Sequence, residues 1–141
     1  MVVKLCSPDY DGCEFYIDNT ELILLIIHYM STLHHNPGWT SVILSTIADI
    51  RFNEYEEPAD IFKKNEQLLQ NYNLDGIIYY LDIKEVNEFN ADICKRVLHT
   101  FRLLLSYLTF TNNTSSIKKD IENNINIFSH AIKTNTHVSI I

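Results

Sequence analysis

The sequence predicts a single all-α domain, a bundle of about six helices around a central hydrophobic helix at about residues 91–110. Two observations support this prediction. Apolar residues between positions 93 and 108 recur at the three- and four-residue spacing of a helix and cover most of its circumference, so this helix needs neighbours on several sides. The chain also has only three glycines and three prolines, which leaves little material for a turn-rich β architecture.

Charge limits the function classes. The formal net charge of -7, without a dense Lys/Arg block, disfavours nucleic-acid binding because the phosphate backbone would be repelled over most of the surface. The central helix has nearly the length of a bilayer core, but four basic or titratable residues interrupt it: Lys95, Arg96, His99 and Arg102. We therefore expect no membrane insertion.

The number and spacing of the cysteines indicate the cellular compartment of the protein. Cys6, Cys13 and Cys94 form no C-x-x-C spacing, and any pairing leaves one thiol over. The N-terminus has too short an apolar run for a secretory signal. These features predict free thiols in a reducing compartment and a soluble, intracellular protein.

The first helix follows an irregular or extended segment, residues 1–17. Asp18 can cap the helix, and Glu21 three residues later completes a capping box. The helix is predicted to end near His34. Its main apolar face comprises Leu22, Leu25, Ile26, Tyr29, Met30 and Leu33. Ile23 and Ile27 fall outside this face and need a second neighbour or a partner chain.

Three shorter segments follow. Asn36 and Pro37 begin a second helix, as cap and first-turn residue. Pro58 opens a third helix. Residues 77–83 are ambiguous between strand and helix, and we favour a helix because no convincing second strand exists to pair with them.

Asn90 caps the central helix, and Thr114 or Ser115 caps a last helix. The apolar face of this last helix comprises Ile117, Ile121, Ile125, Phe128 and Ile132. The helical domain is thus predicted to span residues 18–133, with residues 134–141 as a tail.

Few residues suggest chemistry. His28, His34 and His35, with Cys6 or Cys13, are the residue types of a metal site, but their spacing fits none, and solvated histidines at a helix end are the plainer interpretation. Cys94 lies on the apolar stripe, which favours an inert core thiol over an activated thiolate. Phosphate-binding and hydrolase motifs are absent from the sequence. We expect a non-enzymatic protein without metal or cofactor.

A set of residues before and within the first helices has a spacing similar to that of a known family: Asp9, Tyr10, Phe15, Tyr16, Tyr29, Leu44, Asp49 and Tyr55. With the apolar central helix, this segment, from Asp9 to about Tyr80, resembles the poxviral Bcl-2-like proteins. Three departures stand against the family pattern: Ser31-Thr32-Leu33 replaces a Trp-Arg pair, Ser106-Tyr107 replaces a tryptophan, and the Asn-Trp-Gly-Arg motif of cellular members is absent.

The resemblance implies a Bcl-2-like helical bundle that binds host proteins in the host cytoplasm. Family members suppress innate immune signalling through the NF-κB and interferon pathways. Others are groove-type apoptosis inhibitors that hold amphipathic helices of pro-death proteins, often with a C-terminal membrane anchor. The sequence lacks such an anchor, which favours the immune-signalling branch and a role as a virulence factor.

Two candidate interaction surfaces follow. The candidate partner groove comprises Trp39, Ile43, Ile47, Phe62 and Arg96. Tryptophan is a frequent interface anchor, although it is also a common core residue. Arg96 could meet an acidic partner, although a solvated basic residue is the plainer interpretation. The candidate homodimer face consists of Ile23 and Ile27.

Overall fold

A computed structural model of the chain describes residues 3–32, 62–82, 88–112 and 115–141. In chain order the elements within these residues are β1 (Lys4–Cys6), β2 (Glu14–Phe15), α1 (Asn19–Ser31), α2 (Glu66–Asn71), α3 (Gly76–Leu81), β3 (Glu88–Phe89), α4 (Ala91–Phe110), α5 (Ser116–Lys133) and β4 (Val138–Ile140).

The four short strands form one antiparallel sheet with the order β2-β1-β4-β3. Leu5 of β1 lies opposite Glu14 on one side and opposite Ile140 on the other. Phe89 of β3 lies opposite Val138 of β4. The side chains of Leu5, Phe89 and Val138 are fully buried, so one face of the sheet is part of the hydrophobic core.

The predicted all-α, Bcl-2-like bundle of about six helices is therefore wrong, because the fold is a mixed one with a sheet. The two segments that the sequence places outside the helical domain, residues 1–17 and 134–141, supply three of the four strands. Strands of two or three residues are too short to show the alternation by which a strand is recognised. In addition, β1 and β4, which pair with each other, lie at opposite ends of the chain.

A disulfide joins Cys6 and Cys13, whose Cα atoms lie 4.9 Å apart. The β1–β2 pairing places them next to the Leu5–Glu14 pair. Asp9 and Gly12 have positive φ angles of 61° and 83° in the connecting turn. The expectation of free thiols is thus wrong for these two cysteines, and it holds for Cys94, which is free and buried.

This pairing makes a measurable prediction. We expect one titratable thiol per chain in denaturant before reduction and three after it. Reduction should lower the free energy of unfolding by about 2 kcal/mol, because it releases a short closed loop in the unfolded chain. Urea unfolding with and without reductant measures the change. The double variant Cys6→Ser/Cys13→Ser should have the free energy of unfolding of the reduced protein, and reductant should not change it. Three thiols before reduction would contradict the pairing.

The two most strongly marked helix starts are confirmed. The Asp18 side chain accepts a hydrogen bond from the Glu21 backbone N–H at 3.2 Å, and α1 ends at Ser31, a little before the predicted end. The Asn90 side chain accepts a hydrogen bond from the Ile93 N–H at 2.9 Å. Both caps satisfy donors that the first turn of a helix leaves unpaired.

The central position of α4 is confirmed, since it packs against α1, α3 and α5. Its buried residues are Cys94, Val97, Leu98, Thr100, Phe101, Leu104 and Leu108. The buried face of α5 differs from the predicted one, because α5 also packs against β2 and β4. It comprises Ile121, Asn124, Ile127, Phe128 and Ala131, whereas Ile117, Ile125 and Ile132 are only partly buried.

Tyr80 of α3 lies at the centre of the core, within the segment for which we favoured a helix, and residues 76–81 are indeed helical. Its hydroxyl donates to Asn124 Oδ1 at 2.8 Å and accepts from the Ile17 N–H at 2.9 Å. The Asn124 amide donates to the Phe15 carbonyl at 3.0 Å. Burial raises the pKa of the Tyr80 hydroxyl well above its ordinary value, so it remains a neutral donor. This network joins α3 and α5 to the β2 end of the sheet.

Candidate protein-binding groove

The predicted partner groove is not assembled by the described residues. Three of its members, Trp39, Ile43 and Ile47, lie outside the residues that the structure describes. Phe62 is 1% exposed and belongs to the hydrophobic core. It therefore offers no surface to a partner.

Arg96 is engaged within its own chain. Its guanidinium donates to the Tyr79 hydroxyl at 3.0 Å and lies 3.5 Å from the Asp75 carboxylate. The guanidinium also lies over the Tyr79 ring, 5.4 Å from its centroid. A partner carboxylate would have to compete with these contacts.

The two residues of the predicted dimer face are largely covered within the chain. Ile23 is only 5% exposed and Ile27 is partly buried against the core, whereas Leu24 between them is 61% exposed. Successive residues of a helix are rotated by about 100°, which places Leu24 opposite Leu22 and Ile26. The sequence signal for this exposed position is an apolar residue opposite the main face of the helix.

Leu24 lines a groove at one end of α4, with a volume of about 470 Å³. The groove is bounded by the following residues of α1, α4, α5 and their connections: Glu21, Leu24, Leu25, His28, Tyr107, Leu108, Thr111, Ser115, Ser116 and Ile117. We call it the α1–α4–α5 groove. The volume is in the range of pockets that hold small ligands or anchor side chains.

The apolar side chains of this groove include both buried and solvent-exposed ones. Leu25 and Leu108 are buried, at 8% and 1% exposure, and form a floor. Ile117 is partly buried, and Leu24 stands open to solvent. A large exposed apolar side chain beside an apolar floor is the arrangement of an interaction site.

The polar rim is fixed by a contact between two helices. His28 Nδ1 lies 3.1 Å from the Tyr107 hydroxyl, so a hydrogen bond joins α1 to α4. The Tyr107 ring also packs edge-to-face against Tyr29, with 5.3 Å between centroids. Glu21, seven residues before His28 on the same helix face, places a carboxylate at the other end of this wall.

Serine, histidine and glutamate together are also the residue types of a hydrolase triad. Among the described residues, however, no hydrogen bond joins His28 to Ser115 or Ser116, and its Nδ1 contacts Tyr107 instead. A serine nucleophile needs an adjacent base to activate it. In the described part of the chain, His28 joins α1 to α4 through Tyr107.

Cys94 is the other side chain whose type suggests chemistry. It is fully buried, and its thiol donates to the Phe89 carbonyl at 3.3 Å. Burial raises the pKa of the Cys94 thiol to about 11, which disfavours the nucleophilic thiolate at neutral pH. The interpretation as a core thiol is confirmed. Within residues 3–32, 62–82, 88–112 and 115–141, no group of three or more His, Cys, Asp or Glu residues could hold a metal ion.

Comparison of the chain with protein-family models, with curated proteins and with solved structures finds no match. None of the helices in the described part of the chain is long and apolar enough to cross a membrane. The geometry of the groove is therefore the basis for a functional proposal.

Proposed function

We propose that this protein acts without catalysis, by binding an amphipathic helix of another protein in the α1–α4–α5 groove. The observation that carries this proposal is the exposure of Leu24 beside the buried floor of Leu25 and Leu108. Burying an exposed leucine against a partner stabilises a complex by about 1.5–3 kcal/mol, which is the contribution of an interface anchor.

The shape of the groove supports a helical occupant. Its α1 wall consists of Glu21, Leu24, Leu25 and His28, at positions i, i+3, i+4 and i+7 of one helix face. This wall is about 10 Å long, which matches two turns of a bound helix. A partner helix would place one or two apolar side chains over the floor and direct a basic side chain to Glu21.

The partners that we propose are host signalling proteins, whose binding would suppress NF-κB or interferon signalling. The support for this partner class is the sequence resemblance between Asp9 and about Tyr80, which now concerns sequence pattern and not fold. Residence in the host cytoplasm rests on the same resemblance. The expectation of free thiols no longer supports residence in the cytoplasm, because Cys6 and Cys13 are paired. Disulfides are rare in that compartment.

The helix-length wall of the groove also favours a second candidate function, which is the sequestration of pro-death helices. A titration separates the two candidates. Labelled helical peptides from pro-death proteins and from host signalling proteins would be titrated with the protein in fluorescence-anisotropy assays. A true ligand should bind with a Kd of about 1 μM or tighter.

The contribution of the groove is tested by Leu24→Asp, which should weaken binding by about tenfold or more because it places a carboxylate in the apolar contact. Its matched control is Phe110→Asp, since Phe110 is 87% exposed and does not line the groove. In a signalling-reporter assay, Leu24→Asp should likewise suppress signalling less than Phe110→Asp does. Equal binding by both variants, or no peptide binding below about 100 μM, would refute the proposal.

A further inference from the structure

A second cleft lies between α4 and α5, near the start of α4, with a volume of about 480 Å³. It is lined by Lys95, Leu98, His99 and Arg102 of α4 and by Ser129, Ile132 and Lys133 of α5. We call it the α4–α5 basic cleft. None of these lining residues is acidic.

The tertiary structure brings these cations together from two helices. Lys95, His99 and Arg102 recur at i, i+4 and i+7, so they share one face of α4. α4 ends at Phe110 and α5 begins at Ser116, and so short a connection makes two packed helices antiparallel. The last residue of α5, Lys133, therefore lies beside the first turns of α4.

The contacts of the cations in this cleft distinguish them from Arg96. In the part of the chain that the structure describes, Lys95, Arg102 and Lys133 form no ion pair or side-chain hydrogen bond, unlike Arg96, which contacts Asp75. The chain as a whole carries a net charge of -7. Three uncompensated cations in one cleft of an acidic protein create a local positive potential that selects an acidic ligand.

The spacing of the cations indicates the kind of anion. Lys95 and Arg102 are seven residues apart, about 10 Å along the helix axis, which is wider than a single phosphate group. Leu98, which is 5% exposed, and the partly buried Ile132 form an apolar floor between them. Among the described residues, no Phe, Tyr or Trp lines the cleft, so the His99 ring is the one stacking surface there for a nucleobase. A polyanion such as nucleic acid would also be repelled by the net charge of -7 of the chain.

We propose that the α4–α5 basic cleft binds an acidic amphipathic helix of a partner protein. In this helix, two glutamates at i and i+7 would contact Lys95 and Arg102, and a leucine at i+3 would lie over Leu98 and Ile132. This pattern mirrors the face of α4 itself, where Lys95, Leu98, His99 and Arg102 follow the same spacing. The site is independent of the α1–α4–α5 groove, which involves the other end of α4.

The probe is a fluorescein-labelled helical peptide with glutamate at i and i+7 and leucine at i+3 and i+4, titrated in an anisotropy assay. Lys95→Gln/Arg102→Gln should weaken its binding by about tenfold or more, because both charge contacts are lost. The matched control is Lys118→Gln/Lys119→Gln, which removes the same net charge from α5 outside the cleft. It should change binding by less than about twofold. Raising the salt from about 50 to about 200 mM should weaken binding to the wild-type protein.

Three results would overturn the proposal. One is equal binding by the two double variants, provided that thermal unfolding shows both to be folded. Another is undiminished binding of a peptide in which glutamine replaces both glutamates. The third is displacement of the peptide by an equal concentration of inorganic phosphate or of a short oligonucleotide, which would indicate a general anion site. Leu24→Asp should leave this peptide's binding unchanged, so failure here is distinguishable from failure of the groove proposal.

Discussion

Replacing Phe101 by alanine should lower the free energy of unfolding by about 3–5 kcal/mol, the usual cost of removing a buried aromatic ring. Phe101 is fully buried on α4. Its ring packs edge-to-face against Tyr80, at 4.8 Å between centroids, and against Phe128, at 6.2 Å. The variant loses these contacts and leaves a cavity between α3, α4 and α5, so the melting temperature should fall by roughly 10 °C.

The same helix offers a matched control for this substitution. Phe110 is 87% exposed at the end of α4, so Phe110→Ala removes the same side chain where it contacts little. Its effect should stay within about 0.5 kcal/mol. Urea unfolding of both variants measures the difference. If the two variants were equally stable, α4 would not be the centre of the core.

Replacing Gly76 by alanine should cost about 3 kcal/mol, because α3 and α4 approach each other most closely at this residue. A Cβ atom there would collide with the Arg96 carbonyl oxygen and would lie 2.6 Å from Thr100 Oγ1. The Thr100 hydroxyl also accepts a hydrogen bond from the Gly76 N–H at 3.1 Å and donates to the Asn73 carbonyl at 2.9 Å. The collision with main-chain atoms of α4 cannot be relieved by a side-chain rotation.

Gly12 provides the comparison. A Cβ at Gly12 would meet nothing within 4 Å, but the φ angle of +83° is unfavourable for alanine. Gly12→Ala should therefore cost about 1 kcal/mol through the backbone alone. Adding Thr100→Ala to Gly76→Ala should not restore stability, because the contact with the Arg96 carbonyl persists. Denaturant midpoints of the three variants test this order, and a Gly76→Ala protein as stable as Gly12→Ala would show that α3 and α4 are further apart.

The basic residues of α4 show how far sequence reasoning reaches. The sequence indicates that Lys95, Arg96, His99 and Arg102 belong to the polar part of this helix, and it predicts Arg96 as the partner-facing residue. The spacing alone separates Arg96 from the other three, since it is rotated by about 100° from Lys95. The spacing within α4 does not predict that Asp75 and Tyr79 lie beside Arg96. It also does not predict that Lys133 lies near Lys95.

The α1–α4–α5 groove likewise can be predicted only in part from the sequence. Leu24 can be read from the sequence as an apolar residue on the polar side of α1. Its value as a site depends on Leu108 and Ile117, which lie more than 80 positions away. The prediction of the partner groove, by contrast, rests on the apolar or basic character of its residues, and Phe62 among them is a core residue.

By itself, the sequence determined the starts of α1 and α4, the span of α4 and its central place, because caps and three- to four-residue spacing act within one or two helical turns. Only the tertiary structure decided the β2-β1-β4-β3 sheet, the Cys6–Cys13 disulfide and the Tyr80–Asn124 network. Short strands have no periodicity of their own, and their pairing depends on which distant segments the packed helices bring together. The burial of a polar residue such as Asn124 is likewise explained only by its hydrogen-bond partners in two other segments, Tyr80 and Phe15.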